Sequence, residues 1–377
     1  MADESKKTLS RVRVDHVGSL LRPQRLIEAF LRRGQGKIGD DELKRVQDEA
    51  IREVIGNQET HGLPVVNDGE FRRVTFQDSF SEAVGGFAGL KNTVQSQIGR
   101  ADPGAPAQPD ALRGRSGVNR RLALVRNNIL EEYLFARSIA SKPVKITLLS
   151  PDRVSQRFAY EKSSSVYSGM DEFMDDVVAI ERRMIEQLVE AGCRYIQIDA
   201  PSYTAYLDPR LRREMEERGE DPEANLARSI KADNAVIAGF PEVTFAVHIC
   251  RGNRPGGERR EGSYDAIAER LFQSFNHDRF LLEYDSKRAG GFEPLRFVPG
   301  GKVAVLGLVT TKEGRLETLD DLKRRIEAAS RFLTLDQLAL SPQCGFSGGA
   351  GYHMMSEEEQ WRKIDRIVEV AAAVWGE

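Results

Sequence analysis

The chain alternates between short apolar runs and longer stretches in which polar and apolar residues are mixed. Each run is four to eight residues long and rich in β-branched residues, a pattern typical of parallel strands that are buried on both faces. We predict eight such strands, at residues 12–16, 63–67, 144–149, 195–199, 243–249, 280–284, 303–309 and 338–341.

Amphipathic helices are predicted between these strands. From Phe173 to Leu188 the apolar residues follow one another at spacings of three or four, with charged residues between them. The same spacing, which places apolar side chains on one face of a helix, recurs at 319–326 and 361–371. Gly192 follows the first of these helices, at the position where a C-terminal glycine is common.

Eight alternations of strand and helix predict an α/β fold, a single (β/α)8 TIM barrel spanning residues 1–377. A doubly wound open sheet is the alternative. Two regions depart from the alternation. Residues 21–60 form a long helical connection after the first strand, with a polar break at 34–40. Residues 91–119 are rich in Gly and Pro and poor in large apolar side chains, so we expect a mobile insert there.

The net charge and the hydropathy of the chain limit the kinds of molecule that it is expected to bind. The chain has 377 residues, with 55 Lys and Arg against 58 Asp and Glu, so its formal net charge is −3. Without a basic excess we exclude nucleic acid and anionic membrane surfaces as main partners. No apolar run approaches the roughly 18 to 20 residues of a membrane span, and the N-terminus lacks the apolar core of a secretory signal. With three cysteines no disulfide framework is predicted, and we expect a cytoplasmic protein.

Two of the cysteines lie where strands end. In a (β/α)8 barrel the functional residues lie at the C-terminal ends of the strands. His248 and Cys250 are two apart on the fifth strand and share a face, so both can reach one metal ion. Glu283 on the sixth strand and Cys344 after the eighth complete a donor set that suits tetrahedral Zn2+. The alternative for a cysteine is a small apolar core residue, which we predict for Cys193.

The loop after the fifth strand is a second candidate site. It carries four arginines between Arg251 and Arg260. Guanidinium groups suit carboxylate or sulfonate, so this loop could bind the anionic tail of a substrate. A solvated loop is the alternative.

Six short motifs lie at or near the predicted strand ends: Val-Gly-Ser at 17–19, Asp-Gly-Glu-Phe at 68–71, Gln-Ile-Asp at 197–199, His-Ile-Cys at 248–250, Leu-Glu at 282–283 and Ser-Pro-Gln-Cys-Gly at 341–345. With these motifs the chain resembles the C-terminal catalytic barrel of cobalamin-independent methionine synthase. The resemblance runs from Asp15 to near the end of the chain, and it is closest to the short, single-barrel members of that family.

The resemblance implies a zinc cofactor that is held by the catalytic residues His248, Cys250, Glu283 and Cys344. A free thiol has a pKa of about 8.5 and loses its proton when it binds zinc. The arriving substrate thiolate can take the place of the Glu283 oxygen and then attack the alkyl carbon of a donor.

The resemblance also implies that the substrate amino acid homocysteine is bound by three residues. Ser19 would hold its carboxylate, while Glu70 and Asp199 would hold its amino group. Homocysteine is favoured over other thiols because all three residues are present.

Two departures from the family pattern leave the alkyl donor open. The Asp-Glu-Pro of methionine synthases is Asp-Ala-Pro here, at 199–201, and the stretch 307–311 lacks the His thought to assist protonation of the leaving group. Methylfolate, methylcobalamin and an epoxide are the candidate donors. The family also includes epoxyalkane:coenzyme M transferase, so coenzyme M is the alternative thiol. Its sulfonate would suit Arg22 or Arg251.

Two further hypotheses belong to other classes of protein. One is a metal-free enzyme on the related uroporphyrinogen decarboxylase barrel, which would not need the two cysteines at the strand ends. The other is a non-catalytic zinc-binding barrel. The helical segment 21–60 gives an expectation of a homo-oligomer.

Overall fold

The computed structural model describes residues 2–87, 115–252, 260, 262–351 and 353–376. The strands are β1 (Val84–Phe87), β2 (Val118–Leu124), β3 (Lys145–Leu149), β4 (Tyr195–Asp199), β5 (Thr244–Ile249), β6 (Arg279–Glu283), β7 (Val303–Val309) and β8 (Leu338–Pro342). The helices are α1 (Ala2–Leu9), α2 (Gln24–Gly34), α3 (Asp40–Thr60), α4 (Asp78–Ser81), α5 (Asn128–Arg137), α6 (Pro151–Ser155), α7 (Met170–Glu190), α8 (Pro209–Glu217), α9 (Pro222–Ile237), α10 (Ala268–Ser274), α11 (Leu319–Ala329) and α12 (Glu357–Trp375). Short 3-10 helices lie at Tyr160–Lys162, Pro201–Tyr206, Tyr264–Ala266, Lys287–Ala289, Glu293–Phe297 and Leu335–Gln337.

Strands β3 to β8 form one parallel sheet in chain order, which confirms six of the predicted strands to within one residue at each end. Every residue of these strands is buried, as expected for a sheet covered on both faces. Residues 12–16 and 63–67 complete the TIM barrel, but the prediction that they are strands is wrong. Each contributes a single parallel bridge, Val14 with Leu340 of β8 and Val66 with Val144 beside β3.

Side chains replace the missing strand ladder between these two segments. A ring nitrogen of His16 lies 3.2 Å from the carbonyl oxygen of Val65. The Asn67 amide donates to the carbonyl oxygen of Gly18 at 2.9 Å. These side chains thus bond the carbonyl oxygens of Val65 and Gly18 without regular strand pairing, so an apolar run alone overstates the strand character of the two segments.

The predicted helices surround the sheet. Helices α2 and α3 confirm the helical connection at 21–60 and its break, and α7, α11 and α12 confirm the three amphipathic stripes. Gly192 follows α7 with a positive φ of 99°. Among the residues that the structure describes, no helix is long and apolar enough to cross a membrane.

The antiparallel hairpin of β1 and β2 is an addition to the eight predicted strands. Its strand β1 is Val-Gly-Gly-Phe, too short and too rich in Gly to stand out as an apolar run. Phe87 packs edge-to-face on Phe80 and on Phe173 of α7, which fixes the hairpin to the barrel. The insert predicted at 91–119 lies outside the described residues as far as 114, and its last residues enter β2.

A buried carboxylate joins the first segment to the inside of the barrel. Asp15 accepts hydrogen bonds from Lys145 of β3 at 2.7 Å, from Arg279 of β6 at 3.2 Å, and from the Tyr195 hydroxyl of β4. Burial alone would raise the pKa of Asp15, but the two cations lower it well below its ordinary value. The pairing therefore compensates the cost of burying all these charges together.

We predict that Asp15→Asn destabilises the protein by about 3 to 5 kcal/mol, because it leaves Lys145 and Arg279 buried without their counter-charge. The stabilisation by Asp15 is complete above the ordinary Asp pKa of about 3.9 and declines as the pH falls below it. Urea unfolding at neutral pH measures the loss. Glu313→Gln is the control, since Glu313 pairs with Arg315 on the surface, and it should change the midpoint little. Equal effects of the two substitutions would contradict the role given to Asp15.

Candidate metal and substrate site

The structure brings three of the four predicted metal ligands together. His248 and Cys250 lie at the C-terminal end of β5, and Cys344 follows β8. One ligand atom of each lies within 4.8 Å of the other two, and the Cys250 and Cys344 sulfurs are 3.6 Å apart. An imidazole and two thiols match the donors that Zn2+ prefers, so these residues fit a zinc ion.

The electrostatics of this group also favour a cation. His248 is buried, and by geometry neither ring nitrogen has a hydrogen-bond partner. Burial disfavours the imidazolium, but the neighbouring Cys250 thiolate outweighs it and raises the pKa of His248. A hydrogen bond from Cys344 lowers the pKa of Cys250. The low pKa of Cys250 favours its thiolate, and the buried His248 ring nitrogens have no hydrogen-bond partner in the described part of the protein.

The fourth predicted ligand, Glu283, lies outside this group of three. Its Oε1 accepts hydrogen bonds from Arg288 at 2.8 Å and from Lys312 at 3.1 Å, and its Oε2 accepts one from the Arg251 backbone N–H at 2.6 Å. Burial would raise the pKa of Glu283, but the charges of Lys312, Arg288 and Arg251 together lower it. Glu283 is therefore held as a carboxylate by protein donors.

Glu70 reaches the barrel mouth on a strained turn. Its φ is +61°, the only positive φ of a non-glycine residue in the described part of the chain, and it follows Gly69 with a φ of +69°. The turn is held by side chains, since Asn67 accepts from the Gly69 N–H and Asp68 from the Glu70 N–H, both at 2.9 Å. One Glu70 oxygen accepts from the Thr147 hydroxyl at 2.8 Å. Such strain is retained where a side chain must be placed for function.

Asp199 lies at the end of β4, in register with His248 of β5. One carboxylate oxygen accepts from the Gln197 amide at 2.7 Å. Burial and the nearby Glu70 carboxylate raise the pKa of Asp199 to about 7. The two acids repel each other in a buried place, so a cation between them would be stabilised.

Ser19 lies against the turn that follows Cys344, and the Phe346 N–H donates to its carbonyl oxygen at 2.8 Å. A Cβ built on Gly345, next to Cys344, would lie 2.0 Å from the Ser19 hydroxyl oxygen. A Cβ built on Gly18 would lie 3.1 Å from Glu70 Oε1. The glycines at both positions thus let this segment fit between Glu70 and the cysteine turn.

The two arginines predicted for an anionic substrate group bind protein oxygens. Arg22 is buried and donates from both Nη atoms to Ser347, Glu70 and Arg73. The Arg251 guanidinium donates to the Gly262 carbonyl at 2.6 Å and lies over the Tyr264 ring. The geometry gives both a role in holding loops together, and a substrate role stays a prediction. Of the other arginines predicted in this loop, Arg254 and Arg259 lie outside the described residues.

Sequence reasoning missed the residues that hold the site carboxylates. Lys312 is one position beyond the stretch 307–311 that was searched for a His, and Arg288 lies five residues after Glu283. Arg73 donates to the Thr147 hydroxyl at 2.9 Å and thereby supports Glu70. The only available signal was the presence of basic residues close after strand ends, which is too common to single them out.

Comparisons with known proteins show which family the chain resembles. The family model for the catalytic domain of cobalamin-independent synthase matches residues 15–372. YxjH of Bacillus subtilis (strain 168) is 35% identical over 98% of this chain and 96% of its own length. The methionine synthase of Pyrococcus abyssi (strain GE5 / Orsay) is 24% identical over 87% of this chain and 84% of its own. A Listeria monocytogenes structure, provisionally described as a vitamin-B12 independent methionine synthase, superposes with a TM-score of 0.73 at 27% identity, covering 97% of this chain and 98% of that one.

We predict that the purified chain binds about one zinc ion, and that Cys344→Ser loses it because an oxygen replaces one of the two sulfur donors. Elemental analysis after gel filtration measures the zinc content. Cys193→Ala is the matched control, since Cys193 is buried in the apolar core and should keep the metal. Full zinc content in Cys344→Ser would contradict this site.

Proposed function

The chain belongs to the family of cobalamin-independent synthase catalytic domains, and we propose that it is a zinc-dependent enzyme that transfers a methyl group to the thiol of homocysteine. One observation carries this proposal. The soft donor group of His248, Cys250 and Cys344 lies at the same barrel mouth as the buried acids Glu70 and Asp199. A thiol with an amino group nearby would be recognised at both places.

The metal group serves the thiol end of the substrate. Bound zinc would supply the positive charge that favours the thiolate form of the substrate thiol. His248, Cys250 and Cys344 would hold it, and the burial of His248 and Cys250 would limit the access of water to the substrate sulfur. The substrate thiolate then attacks the methyl carbon of the donor, and the donor keeps the electron pair of the bond that breaks.

The acids serve the amino end. Because Asp199 and Glu70 repel each other when the site is empty, an ammonium group bound between them lowers the pKa of Asp199 and is itself held by two carboxylates. Ser19, which lies beside Gly345, would donate its hydroxyl to the substrate carboxylate. Fixing both ends of the amino acid orients the sulfur, which is how binding contributes to the rate.

The alternative thiol, coenzyme M, has less support. Its sulfonate would need a basic partner at the mouth, and the guanidinium groups of Arg22 and Arg251 are bound to protein oxygens. The acids Glu70 and Asp199 would repel a sulfonate. The family assignment likewise favours alkyl transfer over decarboxylation.

A thiol and donor screen tests the proposed function. We expect the zinc-loaded chain to form methionine from homocysteine and a methyl donor, with methylfolate, methylcobalamin and a short epoxide each supplied in turn. Mass spectrometry of the thioether identifies both thiol and donor, and Cys344→Ser is the inactive control. Product from coenzyme M alone would overturn the proposal, as would full activity in metal-free protein.

The role of Asp199 gives a separate prediction. Asp199→Asn should raise the KM for homocysteine by about 10- to 100-fold, since it removes a charged hydrogen bond to the amino group. The same variant should change the KM for 4-sulfanylbutanoate, which lacks the amino group, by far less. Steady-state kinetics on both thiols measures the difference. An equal rise in the KM for both thiols would show that Asp199 does not bind the amino group.

A further inference from the structure

Gln197 is a buried glutamine in the middle of β4, on the same face of the strand as Tyr195 and Asp199. It belongs to the Gln-Ile-Asp motif, of which the proposed function uses only the aspartate. We propose that Gln197 is a positioning residue that sets the spacing between Ser19 and Asp199, and thereby makes the site specific for a thiol that carries an α-amino acid group. The proposal rests on the proposed function, because Ser19 and Asp199 are the residues that would bind that group.

The orientation of the Gln197 amide is determined by Lys145 of β3. The Lys145 ammonium can only donate hydrogen bonds, and Gln197 Oε1 accepts one of them at 3.0 Å. The other two go to Asp15, at 2.7 Å, and to the carbonyl oxygen of His16. If the amide were turned over, its NH2 group would face the ammonium, and two donors would meet without an acceptor. The amide oxygen therefore faces Lys145, and the NH2 group points the other way.

Both hydrogens of this NH2 group are used at the barrel mouth. Gln197 Nε2 donates to Asp199 Oδ1 at 2.7 Å and to the carbonyl oxygen of Val17 at 2.6 Å. Val17 begins the Val-Gly-Ser segment, whose Ser19 would hold the substrate carboxylate. A single buried amide thus joins the acid proposed for the amino group to the segment proposed for the carboxylate.

The Val-Gly-Ser segment lies outside the strands of the described chain, so side-chain bonds hold it in place. Gly18 has a φ of +144°, a conformation that glycine adopts readily and other residues rarely do. Its carbonyl oxygen accepts from the Asn67 amide at 2.9 Å. The bond from Gln197 is the one that ties the segment to Asp199, so it determines how far Ser19 lies from that acid.

This spacing matters because the amino and carboxylate groups of an α-amino acid are attached to one carbon. Both groups bind at once only if their partners in the protein keep a matching distance. A residue that fixes this distance increases the affinity for a thiol that carries both groups, and it matters little for a thiol that carries one. A general effect on folding would instead weaken the binding of every thiol alike.

Isothermal titration calorimetry on the zinc-loaded full chain, without any methyl donor, tests the proposal with three thiols. They are homocysteine, 4-sulfanylbutanoate, which lacks the amino group, and 3-sulfanylpropan-1-amine, which lacks the carboxylate. Gln197→Met keeps the length of the side chain and removes the three hydrogen bonds of the amide. We expect it to raise the Kd of homocysteine about tenfold and that of each truncated thiol less than about threefold. Similar rises for all three thiols would overturn the proposal.

Gln337→Met is the matched control. The Gln337 amide also donates to two carbonyl oxygens, those of Pro299 at 3.0 Å and Lys302 at 3.2 Å. It lies immediately before β8, at the end of the barrel away from the mouth, so this variant should bind all three thiols as the wild type does. A loss of homocysteine affinity as large as that of Gln197→Met would contradict the special role of Gln197.

A structure of the wild type with homocysteine bound needs no variant, so it decides the matter even if Gln197→Met does not fold. We expect the Gln197 amide to keep its bonds to Asp199 and Val17 while the amino group contacts Asp199 and the carboxylate contacts Ser19. An amide turned away from either partner, or a substrate with only one of its two groups held, overturns the proposal. A wild type that does not bind homocysteine overturns the proposed function as well. A wild type that binds it, with all three thiols weakened equally by Gln197→Met, overturns only the role of Gln197.

Discussion

The carboxylate of Asp15, buried inside the barrel, is the constraint on which the rest of the structure depends. A buried charge must be paired, and its partners come from β3, β4 and β6. Since alternate residues of a strand point to the same side, placing Tyr195 and Arg279 inward also places Asp199 and Glu283 inward, four residues further on. The charge cluster deep in the barrel and the site at its mouth thus share one register. A shift of the strand pairing by one residue would turn both sets of side chains away from the barrel interior.

Two acids at the barrel mouth, Glu283 and Asp199, differ in the partners that surround them. Glu283 is neutralised by Arg288 and Lys312, so it stays charged and fixed. Asp199 accepts a hydrogen bond from the Gln197 amide, and its pKa is raised to about 7. Glu283 is paired with cations of the protein without any ligand, whereas a bound cation would stabilise the charged form of Asp199. Under the proposed function, this difference would give the two halves of the mouth different tasks, one for the sulfur end of the substrate and one for its amino end.

Much of the fold could be predicted because its parallel strands are buried on both faces. That burial produces continuous apolar runs, so β3 to β8 follow from the sequence, whereas the segments around Val14 and Val66 are fixed by side-chain bonds that no run reveals. The His248–Cys250 pair could be predicted for a similar reason, since spacing on a strand decides which face a residue takes. The position of Glu283 could not, because it depends on Lys312, which a loop brings back to the mouth.

Several departures from local rules lie at the mouth of the barrel. Glu70 adopts a left-handed backbone, His248 has buried nitrogens without hydrogen-bond partners, and Asp199 is a buried acid next to another. Deeper in the barrel, Asp15 has comparable burial, but each of its charges meets an opposite one. At the mouth, Glu283 and Glu70 also meet cations, from Arg288, Lys312 and Arg73. Among the described residues, His248 and Asp199 lack such a pairing, and under the proposed function they are the places where a metal and an ammonium group would bind.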